Sequence, residues 1–93
     1  MNLQLSEETS LLTIGLNAAL NQHLFKLQSQ LSPAEFDDVK LRFSYAMSAL
    51  LDIVNPIYKE HPSLLPVYLD GTYVVTDSMF QKYLNSAISK IAV

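Results

Sequence analysis

Apolar residues in the first third of the chain keep helical spacing but fall on two sides of the wheel rather than one. At about 100° per residue, Leu12, Leu16, Leu20, Leu24, Leu27 and Leu31 form a broad ridge, with Ala19 beside it. Leu11, Ile14, Ala18 and Phe25 form a narrower stripe on roughly the opposite side. Uncharged polar residues separate the stripes: Asn17, Asn21 and Gln28 on one flank, Gln22 and Gly15 with Lys26 on the other. A helix at the edge of a monomeric domain needs one apolar stripe. A helix with two is packed on both sides, by more of its own chain or by another protein.

The helix boundaries follow from capping chemistry. Ser6 is the expected N-cap of the first helix, with Glu7 and Glu8 in the first turn where the dipole favours negative charge, and the helix should run to about Gln30. Ser32-Pro33-Ala34-Glu35 opens the second, with Ser at the N-cap, Pro at the first helical position and Glu at the third. Leu31 and Phe36 stand where a hydrophobic staple would form. So short a connection makes the two helices antiparallel neighbours. The second helix has a single apolar face running through Phe36, Val39, Phe43, Ala46, Met47, Leu50, Ile53, Val54 and Ile57. Pro56 removes a backbone donor and should kink it. Because Ile57 and Tyr58 keep to the same face, the helix is expected to continue to about Glu60, and His61-Pro62 then stops it.

Residues 62–75 change character. Asp70-Gly71, flanked by Val67-Tyr68-Leu69 and Thr72-Tyr73-Val74-Val75, reads as a short β-hairpin with a two-residue type I′ turn, or failing that an extended loop. An isolated hairpin is marginal in water, so it must lie on the helices or pair with another copy. Thr76 or Asp77 should cap a third helix whose stripe is Phe80, Tyr83, Leu84, Ala87, Ile88 and Ile91. The expected fold is mainly α. It is a small three-helix bundle over residues 1–93, with helix 2 kinked near Pro56 and a hairpin or loop between helices 2 and 3.

Composition sharpens the picture. The chain has 93 residues, of which 49% are hydrophobic and 16% charged. Average chains carry about 25% charged residues, so this surface is short of charge, as a shared interface would be. A net charge of −3 and scattered basic residues argue against nucleic acid or an anionic membrane as partner. With no cysteine there is no disulfide, thiolate metal site or thiol nucleophile. The first ten residues lack a basic segment and an apolar core, and no apolar run approaches a membrane span, so a cytoplasmic location is expected.

Candidate chemistry is sparse. His23 has Ala19 and Leu27 at i−4 and i+4, so no second metal ligand joins it on the helix. His61 follows Glu60 at a helix end, where a cationic imidazole suits the exposed carbonyls, but no nucleophile stands at a recognisable spacing. Most of the nine carboxylates sit at expected helix starts, where capping and dipole effects place acids; Glu35, Asp37 and Asp38 could also meet a basic partner. Two glycines, Gly15 and Gly71, cannot build a phosphate-cradling loop. Gly71 serves the turn, and Gly15 suits close approach of a neighbouring helix.

The tyrosines matter more. Tyr45 lies on the polar back of helix 2 in line with Leu41 and Ala49, a candidate docking stripe or a contact with the chain's own C-terminal part. Tyr68 and Tyr73 would be cross-strand partners on a hairpin, covering the core or forming a recognition tip.

The function expected is a non-catalytic protein–protein interaction module, such as a small inhibitor, an immunity or antitoxin-type factor, or an adaptor. It should self-associate, most simply as a homodimer, and bind another protein through Leu11, Ile14, Ala18, Phe25, Leu41, Tyr45, Tyr68 and Tyr73. No enzyme activity, metal or cofactor is expected. The alternative is a regulatory helical domain that binds a small ligand between its elements, with Met47, Met79 and the tyrosines lining the pocket.

Overall fold

The computed structural model describes residues 1–76. The third helix expected over 77–93 lies outside the described residues. Two long helices dominate: α1 spans Leu3–Gln30 and α2 spans Pro33–Glu60.

Helix α1 begins one turn earlier than Ser6. Asn2 is its N-cap, and the Asn2 side-chain oxygen accepts from the Leu5 N–H at 2.8 Å. Asn caps as well as Ser, and nothing between Asn2 and Ser6 resists helical geometry, so the upstream cap wins. Ser6 is therefore an interior helical residue, fully buried, its hydroxyl donating to the Met1 carbonyl at 3.3 Å. Glu7 and Glu8 fall outside the first turn.

Helix α2 starts where the capping signal places it. Ser32 accepts from the Glu35 N–H at 3.3 Å and its hydroxyl donates to the Glu35 carboxylate at 2.9 Å. The box thus closes side chain to side chain. Pro56 does not end the helix, which continues to Glu60. Asp52, Asn55 and Pro56 are all exposed, so the carbonyl that loses its amide donor at Pro56 belongs to the watered side of the helix. That placement is why the proline is tolerated.

Only Leu31 and Ser32 separate the helices, which fold back antiparallel. Ser10 meets Tyr58 near one end, and the rings of His23 and Phe43 stack at 6.4 Å farther along.

Beyond His61 the backbone forms two isolated 3-10 turns, Pro62–Leu64 and Val67–Leu69. This corrects both parts of the expected architecture. The described residues form a helical hairpin with two 3-10 turns, not a three-helix bundle, and they contain no strand. Instead of a type I′ turn, Asp70 alone adopts the left-handed conformation, at φ 66°, and Gly71 has no positive φ. The segment curls back on itself. The Gly71 N–H donates to the Pro66 carbonyl at 2.9 Å, the Tyr73 N–H to Leu65 at 3.0 Å and the Val67 N–H to Tyr73 at 3.0 Å. A single bridge joins Pro66 and Tyr73. Pro66 has no N–H for a ladder, and each of these bonds satisfies the backbone without one. Gly71 is needed for a different reason from the one its Asp-Gly context suggests. A Cβ there would lie 1.9 Å from the Leu65 carbonyl oxygen.

The turns close one end of the hairpin. Val54, Ile57, Tyr58 and Leu64 form a buried cluster, with Leu65 and Tyr73 packed against it. The rest of the hairpin is thinner. From residue 16 to residue 53 no residue is buried. No helix among the described residues is long and apolar enough to cross a membrane.

Candidate functional site

Two features stand out from this frame: apolar side chains left in water on the outer hairpin, and a cleft beside the core.

The antiparallel register sets the first. With Ser10 opposite Tyr58 and His23 opposite Phe43, Phe25 comes to the level of Leu41. Phe25 is 77% exposed and Leu41 53% exposed. Tyr45, one turn on from Leu41, is 68% exposed, and Ala49 continues the exposed line along the back of α2. Isolated apolar residues on a surface need no explanation, but here they flank a stretch of two helices that seals nothing inside. The inner positions of that stretch, including Leu20, Leu24, Leu27, Phe36, Phe43 and Met47, are only partly covered.

The other residues singled out from the sequence lie elsewhere. Leu11 is 2% exposed and thus unavailable as surface. Ile14 and Ala18 are half-buried. Tyr73 packs on the core cluster while Tyr68 is exposed, so the two are not cross-strand partners.

The second feature is a partly open cleft of about 420 Å³ between α1, α2 and the second 3-10 turn. Thr13, Ile14 and Asn17 line it from α1, Met47, Leu51 and Val54 from α2, and Tyr68 and Leu69 from the turn. Tyr58, a member of the core cluster, lines it as well. None of the described lining residues is Asp, Glu, Lys, Arg or His.

The polar side chains of the described lining divide into engaged and free. The Tyr58 and Ser10 hydroxyls share a buried hydrogen bond of 2.7 Å. Thr13 donates to the Thr9 carbonyl and Ser44 to the Lys40 carbonyl, both at 2.8 Å. Asn17, Ser48 and Tyr68 line the same space with no hydrogen bond of their side chains to another described residue. Burial pushes the Tyr58 phenol above its ordinary pKa, against the pull of the Ser10 hydrogen bond. Tyr68 is raised as well, by partial burial of its phenol and by the neighbouring Tyr58. Both phenols stay neutral at physiological pH.

Sequence reasoning missed the polar half of this arrangement. Ser6, Ser10, Thr13 and Asn17 recur at helical spacing and form one seam of α1, of which Ser6, Ser10 and Thr13 are buried. The signal was legible as a stripe of small residues in register with the leucines Leu20, Leu24 and Leu31. Hydrophobicity alone could not reveal it, because these positions are packed and polar.

The ionisable groups of the described residues serve caps, helix ends and the exposed surface. His61 donates through Nε2 to the Met1 carbonyl at 3.0 Å and lies 3.7 Å from Glu60. The Met1 amino group is 3.5 Å from that same carboxylate. Glu35 serves the cap of α2, and Asp38 pairs with Arg42 at 3.4 Å on the exposed surface. Among the described residues no three His, Asp or Glu side chains converge as metal ligands would. No protein-family model, curated protein or solved structure matches this chain.

Proposed function

We propose that this chain is a non-catalytic protein–protein interaction module that associates with a second copy of itself. It would act as small inhibitors, immunity or antitoxin-type factors and adaptors do, by covering the surface of another protein. The observation that supports this reading is the outer hairpin. Its two helices bury no residue between positions 16 and 53, yet present Phe25, Leu41 and Tyr45 to water. Aromatic side chains on a rigid helical support are the usual anchors of protein interfaces, since they cover much area for little lost entropy. Packing a second hairpin against this stretch would give the inner leucines the coverage that a four-helix arrangement provides.

Size-exclusion chromatography with light scattering at micromolar concentration tests the reading. A dimer is expected. Phe25→Ser combined with Tyr45→Ser should convert it to a monomer with unchanged circular dichroism, because both residues are exposed and neither holds the hairpin together. A wild-type monomer throughout the micromolar range would overturn it.

A further inference from the structure

We propose that the cleft between α1, α2 and the second 3-10 turn is a binding site for an uncharged single-chain amphiphile, an alkyl or acyl chain ending in a neutral hydroxyl- or carbonyl-type head. This inference does not rest on self-association, whose anchors Phe25, Leu41 and Tyr45 are not among the cleft's described lining residues.

Shape is the first argument. Along α2 the lining runs from Ser44 to Tyr58, about 20 Å at the helical rise. A volume of about 420 Å³ lies within the range of small-molecule sites, and spread over that length it is narrow. It suits a linear chain better than a fused ring system. Met47, Leu51, Val54 and Leu69 give such a chain an apolar bed, and methionine adapts its shape to irregular occupants.

Charge is the second. With no ionisable side chain except two neutral phenols, the described lining residues offer no charged partner for a carboxylate, phosphate or ammonium group. A charged head there would give up part of its hydration with no counter-charge among the described lining residues to replace it.

The head group has its own place. Thr13, Ser44 and Tyr58 already spend their hydroxyls within the fold. Asn17 on α1 and Ser48 on α2 do not, and the antiparallel register brings them to nearly the same level on facing helices. Together they present a donor and acceptor pair to a neutral polar group, while the chain extends past Leu51 and Val54 towards Tyr58.

The test uses the full chain and the neutral fluorophore N-phenyl-1-naphthylamine, displaced by decan-1-ol below its solubility limit, or by decanoate or decyltrimethylammonium below their micelle concentrations. Saturable uptake of one probe per chain is expected. Decan-1-ol should displace it at concentrations about a hundredfold below either ion. Ser48→Trp, at an exposed position, should fill the cleft and abolish uptake with circular dichroism unchanged. Asn17→Leu should weaken binding of decan-1-ol about tenfold relative to binding of the probe, the worth of one hydrogen bond. Absence of saturable uptake, or displacement by decanoate as effective as by the alcohol, overturns the proposal. So does probe binding that Ser48→Trp leaves unchanged. Uptake that falls as protein concentration rises through the association midpoint would show a second copy in the cleft, and would overturn it too. In that last case the dimer itself would still stand, so the two readings fail separately.

Discussion

The Ser10–Tyr58 hydrogen bond joins two helices across 48 positions of sequence, and both partners are shielded from water. Removing one hydroxyl leaves the other without a partner, which costs about 1–2 kcal/mol, whereas removing both costs less than the sum. Urea unfolding of Tyr58→Phe, Ser10→Ala and the double variant should show this non-additivity. The same phenol gives an alkaline dependence of definite sign. Because burial raises the Tyr58 pKa in the folded protein, the unfolded chain ionises first as pH passes about 10. Between the unfolded and folded pKa values the folded state binds more protons, so stability falls as pH rises through that window. Tyr58→Phe should flatten the decline in urea midpoints measured between pH 9 and about 11. Gly71 offers a steric counterpart. A methyl group there would meet the Leu65 carbonyl, a backbone atom that cannot swing aside, so Gly71→Ala should cost about 1–3 kcal/mol in thermal or urea unfolding.

At the level of elements, the strongest local signal was also the most accurate. Ser32, Pro33 and Glu35 place the start of α2 because all three act within one turn and need no help from the rest of the fold. Ser32→Ala should lower stability by about 1 kcal/mol, read from the urea midpoint. Pro56 shows the other side of local reasoning. Its ring interrupts the helical ladder, yet the helix persists because the apolar face beyond it, Ile57 and Tyr58, is anchored in the core. Pro56→Ala should therefore raise stability, by up to about 3 kcal/mol, rather than disturb the fold. Asp70-Gly71 misled for a related reason. The dipeptide permits a type I′ turn, but Pro66 is bonded to both Leu69 and Gly71 through its carbonyl, and those contacts select a 3-10 curl. Ser6 was likewise a competent cap that lost to a competent cap upstream.

Considered whole, the described protein is well sealed at one end and open along the rest. The cluster of Val54, Ile57, Tyr58 and Leu64 lies beside the turns, while the outer hairpin relies on half-covered leucines and phenylalanines. A hairpin with so little enclosed apolar surface gains stability by mass action when it associates. If the proposed dimer forms, its melting temperature should rise with protein concentration over a hundredfold range, and the Phe25→Ser, Tyr45→Ser variant should lose that dependence. The two stripes of α1 led to the expectation of a helix covered on more than one side. They did not anticipate that Leu11 would be sealed within the chain while Phe25, on the same stripe, stands in solvent.

The amino-acid sequence by itself determined the two long helices, their antiparallel pairing, the start of α2 and the survival of that helix past Pro56. Each depends on periodicity or on groups within a turn of one another. Tertiary structure alone decided which side of α1 faces α2, how residues 62–76 close over the core, and that a cleft with no charged side chain among its described lining residues lies between them. Those outcomes depend on long-range fit: small side chains such as Ser10 let the helices approach, and the Leu65 carbonyl fixes what can stand at position 71. The small-residue stripe is visible along α1, but what it packs against, and what lies opposite position 71, is set only by the fold.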